Sequence, residues 1–215
     1  MYTDGRPPRT TASYTFGKSA VGIAPRGENY LLVDAKHQVS MVRSDGSIMW
    51  SVGSKGSGKG ALNCPYGVVD LGSLIAVSDQ NNHRVCLLDS SGKFVRVLTN
   101  QTLNHPRGLA LDRVGNIVVA DHANDRVLVL TPEDSCVRVL GSAGAERGQL
   151  HRPFDVAVDA VGNILVADWG NSRVVVFGPD GEASHFSTPG KPQGICVDHN
   201  GNVIVSLAEG QIILY

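Results

Sequence analysis

Residues 153–174 read Pro-Phe-Asp-Val-Ala-Val-Asp-Ala-Val-Gly-Asn-Ile-Leu-Val-Ala-Asp-Trp-Gly-Asn-Ser-Arg-Val. Two apolar runs flank Asp159-x-x-Gly162-Asn163, in which Asp opens a turn and Gly-Asn supplies the positive-φ positions a tight hairpin needs. Ile164 to Ala167 is apolar without alternation, so a strand there has both faces covered. Asp168-x-x-Asn171-Ser172-Arg173-Val174 is a short loop that opens another strand.

The same grammar recurs along the chain. Pro65-Tyr66-Gly67-Val68-Val69-Asp70, Pro106-Arg107-Gly108-Leu109-Ala110-Leu111-Asp112 and Pro192-Gln193-Gly194-Ile195-Cys196-Val197-Asp198 superpose on residues 153–159, and Val21-Gly22-Ile23-Ala24 is a fainter first copy. The equivalent residues Gly22, Gly67, Gly108, Asp155 and Gly194 stand 45, 41, 47 and 39 residues apart, a mean of 43, so five copies account for all 215 residues. The hairpin turn returns at Asp112-x-x-Gly115-Asn116 and Asp198-x-x-Gly201-Asn202, while Leu71-Gly72-Ser73 replaces it in the second copy. Asp79-x-x-Asn82-His83-Arg84 and Asp121-x-x-Asn124-Asp125-Arg126 repeat the third-strand opening. A fourth strand follows in each full copy, as in Phe94 to Leu98 and Val137 to Leu140, where Arg96 and Arg138 interrupt the apolar pattern as in an outermost strand half in water. Four antiparallel strands repeated at this period describe a blade of a β-propeller.

These motifs resemble the NHL repeat, whose pattern runs Pro-x-Gly-Val-Ala-Val-Asp, Gly-Asn-Ile-x-Val-Ala-Asp and Asn-x-Arg-Val, over residues 20–215. The chain resembles the C-terminal NHL region of tripartite-motif (TRIM) ubiquitin ligases. The expected fold is all-β, an NHL-type propeller of about five four-stranded blades. Relatives commonly have six, so a six-bladed or open ring is the alternative. Residues 1–12 form a leader, and the repeats occupy about 18–62, 63–103, 104–149, 150–189 and 190–215. The last copy stops after its third strand, and Ser13-Tyr14-Thr15-Phe16-Gly17 is expected to supply the missing one and close the ring.

Composition narrows the function. Nineteen basic against twenty acidic residues leave no global field for nucleic acid. Met1 to Arg9 lacks the apolar core of a signal peptide and no apolar run reaches membrane-spanning length, which points to a cytoplasmic protein. The four cysteines form no C-x-x-C pair, so the RING and B-box zinc modules of the resembled ligases are not encoded in this stretch. Gly53-Ser54-Lys55-Gly56-Ser57-Gly58-Lys59-Gly60 nearly spells a phosphate-binding loop, but Gly60 stands where a Mg²⁺-binding hydroxyl is needed and Pro65 opens a strand rather than a helix; a flexible inter-blade loop is expected, and no nucleotide. No His recurs toward the axis, so neither a metal nor another cofactor is expected.

Comparing the copies separates architecture from recognition. Asp79, Asp121 and Asp168 recur five residues before Arg84, Arg126 and Arg173, as loop-stabilising ion pairs would. Divergent positions on one rim are the candidate site. After the Pro column stand Tyr66, Arg107, Phe154 and Gln193; after the Asp column Gln80, His122, Trp169 and Leu207; loops entering the blades add Lys55, Lys59, Asn104, His105, His151 and Arg152. Tyr66, Arg107, His122, Arg152, Phe154, Trp169 and Lys59 are the expected ligand-binding set. Exposed aromatics among arginines suit a protein partner or single-stranded RNA. Because Glu146 and Asp155 dilute the rim's positive charge, a protein comes first. The resemblance implies a non-catalytic module that selects targets for a TRIM-type ubiquitin ligase system. A propeller lyase or hydrolase with a central metal, and a ligand-free scaffold, are the alternatives.

Overall fold

The computed structural model describes residues 20–98 and 102–215. The leader 1–12 and the expected closing strand 13–17 lie outside the described residues. Among the described residues nineteen strands form five antiparallel meanders. Blade one comprises β1 (Ala20–Arg26), β2 (Asn29–Asp34), β3 (Val39–Val42) and β4 (Ile48–Val52). Blade two comprises β5 (Pro65–Asp70), β6 (Leu74–Asp79), β7 (Arg84–Asp89) and β8 (Phe94–Leu98). Blade three is β9 (Pro106–Leu111), β10 (Ile117–Asp121), β11 (Arg126–Leu130) and β12 (Cys136–Leu140). Blade four is β13 (Pro153–Val158), β14 (Ile164–Asp168), β15 (Arg173–Phe177) and β16 (Ala183–Ser187). Blade five has β17 (Pro192–Val197), β18 (Val203–Leu207) and β19 (Ile212–Leu214).

The unbroken apolar runs are buried on both faces. Val119 of β10 packs toward blade two and its neighbour Val118 toward blade four, and both are fully buried. Four such cores join blades one to two, two to three, three to four and four to five. Each buried Val or Leu contributes roughly 1.5–3 kcal/mol, so the inter-blade seams carry most of the stability. The inner strands β1, β5, β9, β13 and β17 succeed one another around a channel of about 480 Å³. No comparable packing returns from β17 to β1, so among the described residues the ring is open at that seam. Ile23 faces outward there at 66 % exposure, and the edge strand β19 leaves Ile212 at 77 %.

In the β9–β10, β13–β14 and β17–β18 hairpins, Asp112, Asp159 and Asp198 each accept the backbone N–H groups two and four residues on. Only the glycine takes the positive φ that the sequence assigned to Gly-Asn together; Gly162 has φ 97°, while Asn163 donates its side-chain amide to Asp159. Arg96 and Arg138 do not point into water from the outer strands. They reach the carbonyls of Pro132 and Gly178 in the next blade, and the exposed side chains of β8 and β12 are Val95, Val137 and Val139. No helix among the described residues is long and apolar enough to cross a membrane.

Candidate functional site

In blades two, three and four the second strand ends in a station that fixes the loops around it. Asp79, Asp121 and Asp168 are fully buried, and the Oδ2 atom of each accepts Nε of Arg84, Arg126 or Arg173 at 2.8 Å. The same oxygen takes the amide of Asn82, Asn124 or Asn171, while Oδ1 takes the backbone N–H of Asn63, Asn104 or His151. The arginines then spend their remaining N–H groups on the connectors that lead into the blades. Arg84 holds the carbonyls of Ser57, Gly58 and Ala61, and Arg173 those of Ala145, Glu146 and Gln149. The stretch resembling a phosphate loop therefore turns carbonyls inward around a guanidinium, the opposite polarity to an anion cradle, and is tied down rather than loose.

A second inter-blade latch was not legible from the repeats. His37, His83 and Asp125 adopt left-handed φ after the station, and their side chains accept the backbone N–H of Cys64, His105 and Arg152, the residues just before each blade-opening proline. Its acceptor alternates between imidazole and carboxylate, which hides the column from residue-type comparison.

The divergent positions converge at the channel mouth. A short 3₁₀ turn after each station points His122 and Trp169 toward the ring, and the first residue of β9 or β13 after its proline points Arg107 and Phe154 there. The Arg107 guanidinium lies 3.8 Å from the Phe154 ring centroid and 5.7 Å from that of Tyr66. Tyr66 and His122 present their edges to Phe154, with centroids 5.5 and 5.6 Å away, and Trp169 lies at 6.3 Å. Lys191, which the sequence reading left out, sits 4.0 Å over the Trp169 ring. The loop entering blade five, residues 188–191, is too short to align with the longer entry loops of the other blades. Arg152 is exposed and close enough to add positive field at Arg107 and His122.

Two expected members fall elsewhere. Lys59 sits in the connector held by Arg84, beside Gly60, which neighbours Phe94 of the outer strand β8, and no contact joins it to the cluster. Leu207 is only 4 % exposed and pairs with Pro192, so it stands in the Asp column itself rather than after it. Arg147, in the connector into blade four, is paired with Glu182 at 2.9 Å on the outer side of that blade.

Burial and charge set the protonation of the cluster. Burial, reinforced by Arg107, lowers His122 to about 4, so its ring is neutral at pH 7; Nδ1 lies 3.1 Å from the Pro153 carbonyl and serves as the donor to it. Burial, with the Asp155 charge, pushes Tyr66 up to about 12. Asp155 is the one departure from glycine in the inner column. Glycine is needed where inner strands approach, since a Cβ on Gly67 would stand 2.6 Å from the Arg107 carbonyl oxygen. At blade four the space left by Gly108 is filled by the Asp155 carboxyl, which is half-buried in the channel wall and accepts the Ile195 N–H of blade five at 3.0 Å. Burial raises it to about 7. Asp155 is thus part of the wall beneath the cluster, not a surface charge diluting it.

Comparison with known proteins agrees with this architecture. The NHL repeat model matches residues 150–177. The RING finger protein nhl-1 of Caenorhabditis elegans is 53 % identical over 45 residues, 20 % of this chain and 5 % of that protein. Protein brain tumor of Drosophila melanogaster is 24 % identical over 125 residues, 56 % of this chain and 12 % of that protein. The matched region is therefore a small part of either curated relative. Among solved structures, a chain of the nidogen/laminin complex superposes with a TM-score of 0.74 at 19 % identity, covering 91 % of this chain and 74 % of that one. A streptogramin B lyase superposes at 0.72 with 14 % identity, covering 91 % and 65 %.

Proposed function

We propose that this five-bladed β-propeller, which matches the NHL repeat over residues 150–177 and resembles the NHL regions of TRIM proteins, is a non-catalytic recognition module whose channel-mouth rim binds a protein partner. The observation that carries this reading is the convergence of Tyr66, Arg107, His122, Phe154 and Trp169, none of them repeated between blades, on one exposed mouth. Aromatic residues and arginine are the types that dominate protein-interface energetics, and the stations that repeat are already occupied in holding loops. In this reading the propeller chooses the target for a ubiquitin-ligase system, in a cytoplasmic setting consistent with its four free cysteines.

Single-stranded RNA is the second reading, favoured by the aromatic rings beside cations. The lyase likeness shows a shared fold, and among the described residues no three His, Cys, Asp or Glu side chains gather as a metal site would need. The deciding experiment places a photo-crosslinking residue at Gln193, inside the mouth, and at Val161 on the far face, and recovers adducts from cell extract. A partner captured from Gln193 alone, and lost on Phe154→Ala and Trp169→Ala with the melting curve unchanged, supports the proposal. Sub-micromolar binding of single-stranded RNA at physiological salt, lost on Arg107→Ala and Arg152→Ala in a folded protein, replaces it by the second reading.

A further inference from the structure

Two hydrogen-bond donors in the rim are buried and unmatched, Arg107 Nε and Trp169 Nε1. Buried polar groups are nearly always paired, and neither of these atoms can accept, so only an acceptor completes them. They belong to adjacent blades and flank one ring, with the Arg107 guanidinium 3.8 Å from the Phe154 centroid and the Trp169 ring centroid 6.3 Å from it.

The surroundings specify the acceptor's charge. Arg107, Arg152 and Lys191 face the mouth, while His122 already uses Nδ1 on the Pro153 carbonyl. Of the nearby acids, Asp155 is engaged with the Ile195 N–H below, Asp125 accepts the Arg152 backbone N–H at 2.7 Å, and Glu209 lies 3.4 Å from the Lys191 backbone N–H at the margin. The aromatic faces discriminate between anionic partners. Arg107 covers Phe154 and Lys191 covers Trp169, so a nucleobase would have to displace a cation before it could stack. A carboxylate needs no face; it needs only the two unmatched N–H groups, which are buried and which the partner reaches as the rim side chains part.

We infer that the rim recognises a carboxylate on the partner protein, with Arg107 Nε–H and Trp169 Nε1–H donating to its oxygens and Lys191 and Arg152 supplying the surrounding positive field. The inference rests on the proposed recognition function and names the chemistry of its partner. The group comes from an Asp or Glu side chain or from a chain terminus, and the test separates these sources.

Three short peptides serve as probes: an N-acetylated, C-amidated Gly-Asp-Gly-Glu-Gly, its Asn/Gln counterpart, and an acetylated pentaglycine with a free C-terminus. The chain has two tryptophans, Trp50 and Trp169, so the indole N–H resonances give one signal at the site and one control in the blade-one core. The acidic peptide, the free terminus or both should move the Trp169 signal downfield and leave Trp50 in place; whichever acts identifies the source. Binding of the active peptide, followed by fluorescence anisotropy, should weaken at least fivefold in Arg107→Gln. Trp169→Phe, which keeps a ring under Lys191 and removes only the N–H, should weaken it comparably, and it stands in if Arg107→Gln fails to fold. Equal binding of the Asn/Gln peptide would overturn the carboxylate while leaving rim recognition intact. Failure of every peptide to move Trp169 would overturn it as well, and the crosslinking experiment then decides whether the rim binds proteins at all. A larger Trp169 shift with oligouridine than with any carboxylate would assign the donors to phosphate instead.

Discussion

Blades four and five meet the chain arriving from their predecessors in different ways. Blade four receives the long connector 141–152, and Asp168 with Arg173 gathers three of its carbonyls. Blade five receives only residues 188–191, held by two backbone hydrogen bonds, Ala208 N–H to the Lys191 carbonyl at 2.9 Å and Thr188 N–H to the Ser172 carbonyl at 3.0 Å. In blade five the Asp position is Leu207, packed into the seam with blade four. The buried ion pair therefore serves the connector rather than the blade. In blade three Arg126 holds the Thr102 carbonyl among the described residues of its connector, and it is 26 % exposed against 7 % for Arg173.

Asp168→Ala leaves a nearly enclosed guanidinium without its counter-charge and should lower stability by about 4 kcal/mol. Asp121→Ala, beside a better solvated arginine, should cost about 2 kcal/mol. Equal losses in chemical denaturation would show that connector length does not set the station's importance.

The wall residue Asp155 gives the seam between these two blades a pH dependence. Its carboxyl titrates near 7 in the folded chain and near the ordinary carboxylate value when unfolded, so the folded state holds the extra proton between those limits. Stability from this group is full in acid, declines as pH rises toward 7 and is flat above, by on the order of 2 kcal/mol after allowing for solvent in the channel. His122 acts oppositely, destabilising the fold as pH falls from about 6.5 toward 4. Asp155→Asn should remove the decline toward neutral pH and leave the acid limb of His122 exposed; an unchanged profile between pH 5 and 8 would place the proton elsewhere.

Closure of blade five by residues 13–17 remains our proposal for its bare edge. Removing residues 1–17 should lower the melting temperature by several degrees, and an unaltered melting curve would leave β19 as the natural edge. The smallest effect belongs to the rim: Arg107→Ala should change stability by no more than about 0.5 kcal/mol, because its side chain serves no connector. A loss equal to that of Asp121→Ala would mean that recognition and architecture share this residue.

What the sequence disclosed follows from which physical constraints repeat. The Asp112, Asp159 and Asp198 hairpins and the apolar second strands recur because every blade needs them, and they lie where expected. Blade one was faint because its station replaces the Asp-Asn-Arg set with Asp34, whose carboxylate caps the N–H groups of Lys36 and Gln38. Arg107, His122, Phe154 and Trp169 were legible because they break a column on the inner side. Lys59 breaks a pattern too, but in a connector that swings outward, and direction is not encoded in divergence. Asp155 was misread as surface charge because its burial depends on Gly108, one repeat away.

The seam between blades five and one changes how the molecule comes apart. In a closed ring every blade has two neighbours and none is weakest; among the described residues the seam is open, so blades one and five each hold one neighbour there, and this part of the chain behaves as a line with ends. Amide exchange should then follow position, slowest in β10 and β14 and fastest in β2 and β18, although all four strands stand second in their blades. The rim residues ride on blades two to four, the slow-opening middle, so the surface offered to a partner keeps its shape while the ends of the line breathe.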